Sequence, residues 1–166
     1  IFGKIPKYNR EAVTHEEIEK VLLACNHNIR ALILIQLSSG MRVGEMLSLR
    51  VKDVIKNERY QINIRAEISK TKTERITFVS KEAEPYLEFY IKDKEPEELI
   101  FQLSKSGYMK SLSIGVDRAG LEKRYEHSRQ RTISSHSFRA FFETQLGKTD
   151  NFIGHALAGH DHYMKQ

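Results

Sequence analysis

A chain of 166 residues, 40% hydrophobic and 30% charged, is long enough for one domain with a real core and too apolar to be disordered. No apolar run approaches bilayer-spanning length, the first residues do not form a signal peptide, and the lone Cys25 supports neither a disulfide framework nor a cysteine metal site; a reducing, cytoplasmic setting fits. The net charge of +5 is uneven: residues 81–98 hold seven acids against three lysines (−4), so the remainder carries +9, as suits a protein presenting one positive face to a polyanion.

The chain starts at Ile1 rather than methionine, which reads as a fragment of something longer. Thr14-His15-Glu16-Glu17 is a capping box, and Ile18, Val21, Leu22 and Cys25 follow on one stripe, predicting a helix over about 15–26. Asn26-His27-Asn28 breaks it. Residues 29–37 are nearly all apolar, as in a helix buried on most sides, and Ser38-Ser39-Gly40 ends that helix. Val43, Met46 and Leu47 then give a short apolar stripe with Arg42 and Glu45 on the opposite side. As a surface i,i+3 ion pair these two would contribute only a few tenths of a kcal/mol. The functional reading, which we favour, is that Glu45 fixes the rotamer of Arg42 so that its guanidinium fork faces a ligand.

From Val51 to Ser80 the hydrophobic period changes to two. Tyr60–Ile64 and Arg75–Val79 alternate and read as strands, joined by the basic Ser69-Lys70-Thr71-Lys72-Thr73-Glu74 at a hairpin tip. Residues 81–92 read as a helix stopped before Pro96, Leu99-Ile100-Phe101 as a short apolar piece, and residues 106–119 as a helix closed by Gly120. Residues 121–133, with Lys123, Arg124, Arg129 and Arg131 and few apolar side chains, read as a basic loop facing nucleic acid or solvent. Next, Phe138, Phe141, Phe142 and Leu146 recur at helical spacing, with Ser134 or Ser135 as N-cap and His136 and Arg139 stacked on another face of the first turn. An imidazole and a guanidinium at a rigid helix start suggest a phosphate site. Phe152, Ile153, Ala156 and Leu157 form one further helical face before Gly159-His160 and Tyr163. His155, His160 and His162 lack an established zinc spacing, so no metal is expected.

Taken in order, Gly40-Met41-Arg42-Val43-Gly44-Glu45-Met46, the lysine-bearing hairpin, His136-x-x-Arg139 and Gly159-His160 resemble the catalytic domain of the tyrosine recombinases, the phage integrase family, with the style of archaeal or mobile-element members. The resemblance runs from about residue 10 to the end. It implies an α+β fold, mostly helical with an antiparallel sheet of about three strands. The chain would then be a catalytic domain without the amino-terminal DNA clamp and the extreme carboxy terminus.

The resemblance also implies a chemistry without cofactors or metals: a tyrosine hydroxyl attacks a DNA phosphodiester, forms a 3′-phosphotyrosyl bond and releases a 5′-hydroxyl. Arg42 and Arg139 would bind non-bridging oxygens, His136 would act as base or hydrogen-bond donor, His160 would contact the phosphate, and Lys70 would protonate the leaving oxygen, with Lys72 as the alternative. The nucleophile is either Tyr163, which stands closer to His160 than the family pattern has it, or a tyrosine beyond Gln166. The expected partner is duplex DNA, with Lys72, Lys123, Arg124, Arg129 and Arg131 contacting it and four copies assembling on it. Rival readings are a DNA-binding module that grips phosphate without cleaving, a topoisomerase of type IB, and a metal-dependent hydrolase using the carboxy-terminal histidines. The DNA target sequence and the direction of recombination are not legible.

Overall fold

The computed structural model describes residues 12–126 and 128–148. The helix expected around Phe152 to Leu157, and with it His155, His160, His162 and Tyr163, lies outside the described residues.

Helix α1 (His15–Ala24) opens with the capping box read from the sequence: Glu17 N–H donates to Thr14 Oγ1 (3.2 Å) and Thr14 N–H to Glu17 Oε2 (2.8 Å). It stops sooner than its apolar stripe predicts, because Asn26 caps the next helix through its side chain (Ile29 N–H to Oδ1, 3.0 Å). Helix α2 (His27–Ser39) therefore begins two residues before the apolar run. Arg30 reaches back to the carbonyls of Leu22 (2.8 Å) and Cys25 (3.2 Å), satisfying the end of α1. Ile29, Ala31, Leu32, Ile33 and Ile35 are all buried, so α2 is the central rod, touching α1, α4 (Glu84–Ile91), α5 (Lys105–Arg118), α6 (Ser135–Gly147) and β3 (Arg75–Phe78). Each large aliphatic buried there contributes about 1.5–3 kcal/mol relative to exposure. Cys25 is core filler, as its lack of a partner suggested: it packs so closely on Gly115 of α5 that a Cβ there would overlap its sulfur.

After the short α3 (Val43–Leu47) and a 3-10 turn (Val51–Asp53), three antiparallel strands form the sheet in the order β1 (Val54–Lys56), β2 (Tyr60–Ile64), β3 (Arg75–Phe78). The register pairs Ile62 with Val54 and Thr77, and Gln61 with Ile55 and Phe78. β3 inverts the usual arrangement. Ile76 and Phe78 point outward, while Thr77 is buried with its hydroxyl donating to Ser39 O (2.7 Å). Inward-facing Arg75 is held by a carboxylate described below.

Helix α4 (Glu84–Ile91) is shorter than expected at its start, with Pro85 in its first turn. The acidic segment around it is not a simple solvated face. Glu88 pairs with Lys56 (2.8 Å) and accepts the Tyr60 hydroxyl (2.7 Å), while Glu97 pairs with Lys52 (2.7 Å). These pairs dock the acidic segment on the strand side. Helix α5 (Lys105–Arg118) follows, capped by Ser104, then the irregular basic segment, which contains a single Arg124–Arg131 bridge. Helix α6 (Ser135–Gly147) closes the described chain against α2.

Candidate active site

One turn organises the site. Gly40 ends α2 in the left-handed region (φ 64°), a conformation that costs glycine little, and the Phe142 ring lies where a Cβ would stand. The three carbonyls of the turn each accept from a side chain of a different element. Ser39 O takes the hydroxyl of Thr77 on β3, Gly40 O takes a guanidinium N–H of Arg139 on α6 (2.6 Å), and Met41 O takes the amide of Gln36 on α2 (3.0 Å). Gln36 in turn accepts from the hydroxyl of Tyr108 on α5 (3.2 Å). Tyr108 is fully buried, which raises its hydroxyl well above the ordinary value and keeps it a donor.

Arg42 follows this turn directly. Its backbone N–H donates to Glu45 Oε2 (2.8 Å) and its guanidinium to Oε1 (3.2 Å). The pair is not the surface contact that its spacing alone would give, for Glu45 is 2% exposed. The same carboxylate receives a two-pronged contact from Arg75 of β3 (3.0 and 2.6 Å). Burial pushes the Glu45 pKa up, but the bonds and charge of Arg75, then of Arg42, outweigh it and hold the group below 4.5. It is an anion at neutral pH, fixing two guanidinium planes at once.

Arg139 is 3% exposed, a depth that its helical spacing from His136 does not give. The reason is its bond to Gly40 O and its contact with Glu143 one turn on (Nε to Oε1, 3.0 Å). Burial first, and then the nearby charge of Arg42, lower its pKa to about 10, with Arg75 adding to the effect against Glu143 and Glu45. The group remains a cation at pH 7. Among the described residues this cluster brings three guanidinium groups and two carboxylates together.

Three members of the cluster, Arg42, Glu45 and Arg139, line an open pocket of about 600 Å³, within the range of ligand sites. Arg42, Glu45, Lys70, Lys72, His136 and Arg139 all line it, so six of the residues singled out in the sequence meet in one cavity. Ser134 is the N-cap of α6, with Ser137 Oγ accepting its backbone N–H (2.9 Å). From the first turn of that helix His136 borders both this pocket and an adjoining one of about 560 Å³. Lys70 and Lys72 stand at the hairpin tip, exposed, with Lys72 in the left-handed region (φ 59°), which is unusual for a residue with a Cβ. Both lysines border the pocket.

The basic segment lies elsewhere. Arg131 pairs with Asp117 (2.9 Å to Oδ2), Arg124 donates to Arg129 O, and Lys123 accepts Thr132 through its carbonyl (3.1 Å). None of Lys123, Arg124, Arg129 and Arg131 lines the arginine pocket, though Arg131 borders the adjoining one. Sequence reasoning missed Arg75, Gln36, Tyr108 and Lys105, the last on the pocket rim. Arg75 did carry a signal: it is in phase with Thr77 and Val79, so a strand burying those two also turns a charge inward. Among the described residues no cluster of His, Cys, Asp and Glu is grouped to hold a metal ion. His160 and Tyr163 lie outside the described residues.

Comparison with known proteins gives one coherent picture. The sequence profile of the phage integrase family matches residues 11–161. Tyrosine recombinase XerA of Saccharolobus solfataricus is 34% identical over 125 residues, covering 72% of this chain and 42% of XerA. In fold, the crystal structure of XerA recombinase aligns with a TM-score of 0.71 at 20% identity over 99% of this chain and 60% of that one. XerH recombinase bound to its difH substrate aligns at 0.69 and 22% identity over 92% of this chain and 48% of that one. The catalytic domain of bacteriophage HP1 integrase aligns at 0.65 and 19% identity, over 92% of this chain and 82% of that one. The chain thus spans less than half the length of the curated relative it matches.

Proposed function

The chain belongs to the phage integrase family of tyrosine recombinases, and from that premise we propose that its pocket grips one DNA phosphodiester while a tyrosine hydroxyl displaces the 5′-oxygen. The observation that carries this reading is the convergence of Arg42 and Arg139 on one cavity that Lys70, Lys72 and His136 also line. The reaction is an in-line exchange at phosphorus. The tyrosine oxygen forms a new P–O bond as its proton passes to a base, and the bond to the 5′-oxygen breaks as that oxygen gains a proton. The result is a 3′-phosphotyrosyl ester and a free 5′-hydroxyl, and reversal with another strand's 5′-hydroxyl rejoins the DNA.

The extra negative charge of the five-coordinate phosphorus is met by guanidinium donors already fixed in place, which removes the cost of reorienting solvent dipoles during reaction. Arg42 is held by Glu45 and Arg139 by Gly40 O and Glu143, so both guanidinium groups are fixed in place to meet the non-bridging oxygens. His136 serves as base or donor beside the tyrosine. Lys70, or Lys72 in its place, gives the leaving oxygen its proton from the hairpin tip. His160 would add a further phosphate contact, and the nucleophile is Tyr163 or a tyrosine after Gln166. Exchange between two duplexes calls for four copies on the DNA, in the cytoplasm where that DNA is, with Lys123, Arg124, Arg129 and Arg131 as outlying backbone contacts.

The test is a pool of nicked duplexes of randomised sequence, in which departure of the short fragment traps any covalent intermediate. The protein should yield complexes that survive detergent denaturation and are insensitive to chelator. Arg42→Ala and Arg139→Ala should abolish them while retaining most DNA affinity, which many other phosphate contacts supply. Binding without adducts or cleavage from the parent protein would favour the non-cleaving module, and strand cleavage without adducts that chelator suppresses would favour the hydrolase reading. Adducts formed equally by both alanine variants would overturn the roles of the arginines.

A further inference from the structure

Lys105 is a rim residue that the reaction above leaves without a role. It is the first residue of α5, where Ser104 fixes the helix start (Gly107 N–H to Oγ, 3.0 Å), and it lines the arginine pocket together with Met109 one turn later. That turn of α5 therefore faces the cavity. Lys105 is exposed and has no ion-pair partner among the described residues. The hairpin lysines occupy the same cavity from a different element, the connection between β2 and β3. The arginines lie lower, with Arg139 buried and the Arg42 side chain 28% exposed. The cavity is thus lined by two fixed guanidinium groups and by exposed lysines from two separate elements, with one exposed carboxylate, Glu67, that pairs with Arg65 (2.7 Å).

A nucleic-acid strand cannot present one phosphate alone. A linkage seated on the arginine floor continues in both directions over the margin, and its neighbouring phosphates are carried there. We propose that Lys105 binds the backbone phosphate adjacent to the one held by Arg42 and Arg139, making the pocket a site for two successive phosphates of one strand. This rests on the reading of the pocket as a phosphodiester site. An ammonium on a flexible stem suits the role: it follows a phosphate whose position shifts with local backbone conformation, whereas the rigid forks below define one geometry. The contact is exposed, so it is salt-sensitive and modest.

The test uses the dinucleotide d(TpT), with one phosphodiester, and the trinucleotide d(TpTpT), with two, titrated against the protein at low salt and followed by amide chemical shifts. Two equivalent linkages double the apparent affinity by statistics. The parent protein should prefer the trinucleotide by about two- to fivefold beyond that, as one exposed ion pair supplies. Lys105→Gln should reduce the preference to the statistical value with d(TpT) affinity unchanged, and Lys105→Arg should keep it. A parent protein with only the statistical preference, or a Lys105→Gln variant that retains the full one, overturns the subsite and leaves the phosphodiester reading intact. If d(TpT) itself fails to bind, or binds as well to Arg42→Ala, the phosphodiester reading falls and the subsite falls with it.

Discussion

Replacing Glu45 by glutamine tests the construction of the site most directly, because it removes one charge and almost no volume. The carboxylate, 2% exposed, accepts four N–H groups: the Arg42 backbone (2.8 Å), the Arg42 side chain (3.2 Å) and both prongs of Arg75 (3.0 and 2.6 Å). A glutamine keeps one oxygen and turns an N–H₂ toward guanidinium donors, so about half of these bonds become repulsive. Charged hydrogen bonds contribute about 1.5–3 kcal/mol each, and removing one side of a buried ion pair costs about 3–5 kcal/mol. The expected loss is about 3–5 kcal/mol at pH 7, by urea unfolding against the parent protein. The pH dependence gives the signature. Glu45 titrates below 4.5 in the folded chain, so its contribution is fully present above that value and is lost as pH falls through the depressed folded pKa. The difference between the two proteins should therefore be flat near neutrality and shrink in acid. A loss under about 1 kcal/mol, or a gap that does not narrow on acidification, would refute the picture of one buried carboxylate holding two arginines.

Two further outcomes follow from the same geometry. Arg42→Lys keeps the charge but not the planar fork, so adduct formation in the nicked-duplex assay should fall on the order of a hundredfold while duplex affinity changes little; adduct formation within threefold of the parent would show that charge alone suffices. Gly40→Ala combines a left-handed backbone with a methyl group driven into the Phe142 ring. It should destabilise the chain by more than about 1 kcal/mol in urea, with partial recovery when Phe142 is reduced to leucine, and an alanine variant of parental stability would refute the close contact.

The helices were legible where capping and periodicity agree. Thr14 and Glu17 close α1, the apolar run is the buried rod α2, and Ser134 starts α6. Boundaries moved where a second cap competed: Asn26 starts α2 at the expense of α1, since one backbone segment cannot end one helix and extend another. The site was legible as residue types in order, because Arg42, Glu45, Lys70, Lys72, His136 and Arg139 do meet. What the pattern could not give was their depth. Helical spacing placed Arg139 beside His136, yet only the approach of α2 to α6 shows that the guanidinium turns inward to Gly40 O. Arg75 was hidden for a related reason. A strand with Ile76 and Phe78 in alternation suggests apolar residues facing inward, and here long-range partners, Ser39 O and Glu45, bring the polar side in instead.

Arg139 is buried at an electrostatic cost. Its pKa, lowered to about 10, measures an unfavourable setting: little water, and Arg42 and Arg75 nearby. Its bonds to Gly40 O and Glu143 offset that setting, since an apolar replacement would take the donor from both acceptors. The arrangement makes sense if an anion completes it. On the proposed reading a phosphate oxygen beside Arg42 and Arg139 is that anion, and a transition state with more charge on those oxygens would be held more strongly. The turn at residues 39–42 makes this possible without loosening the fold. Its carbonyls tie α2, α6 and β3 to one another, so both guanidinium groups are referenced to the same few backbone atoms. Displacing that turn would move both arginines together, so on the proposed reading this one turn sets how the two forks meet a single phosphate.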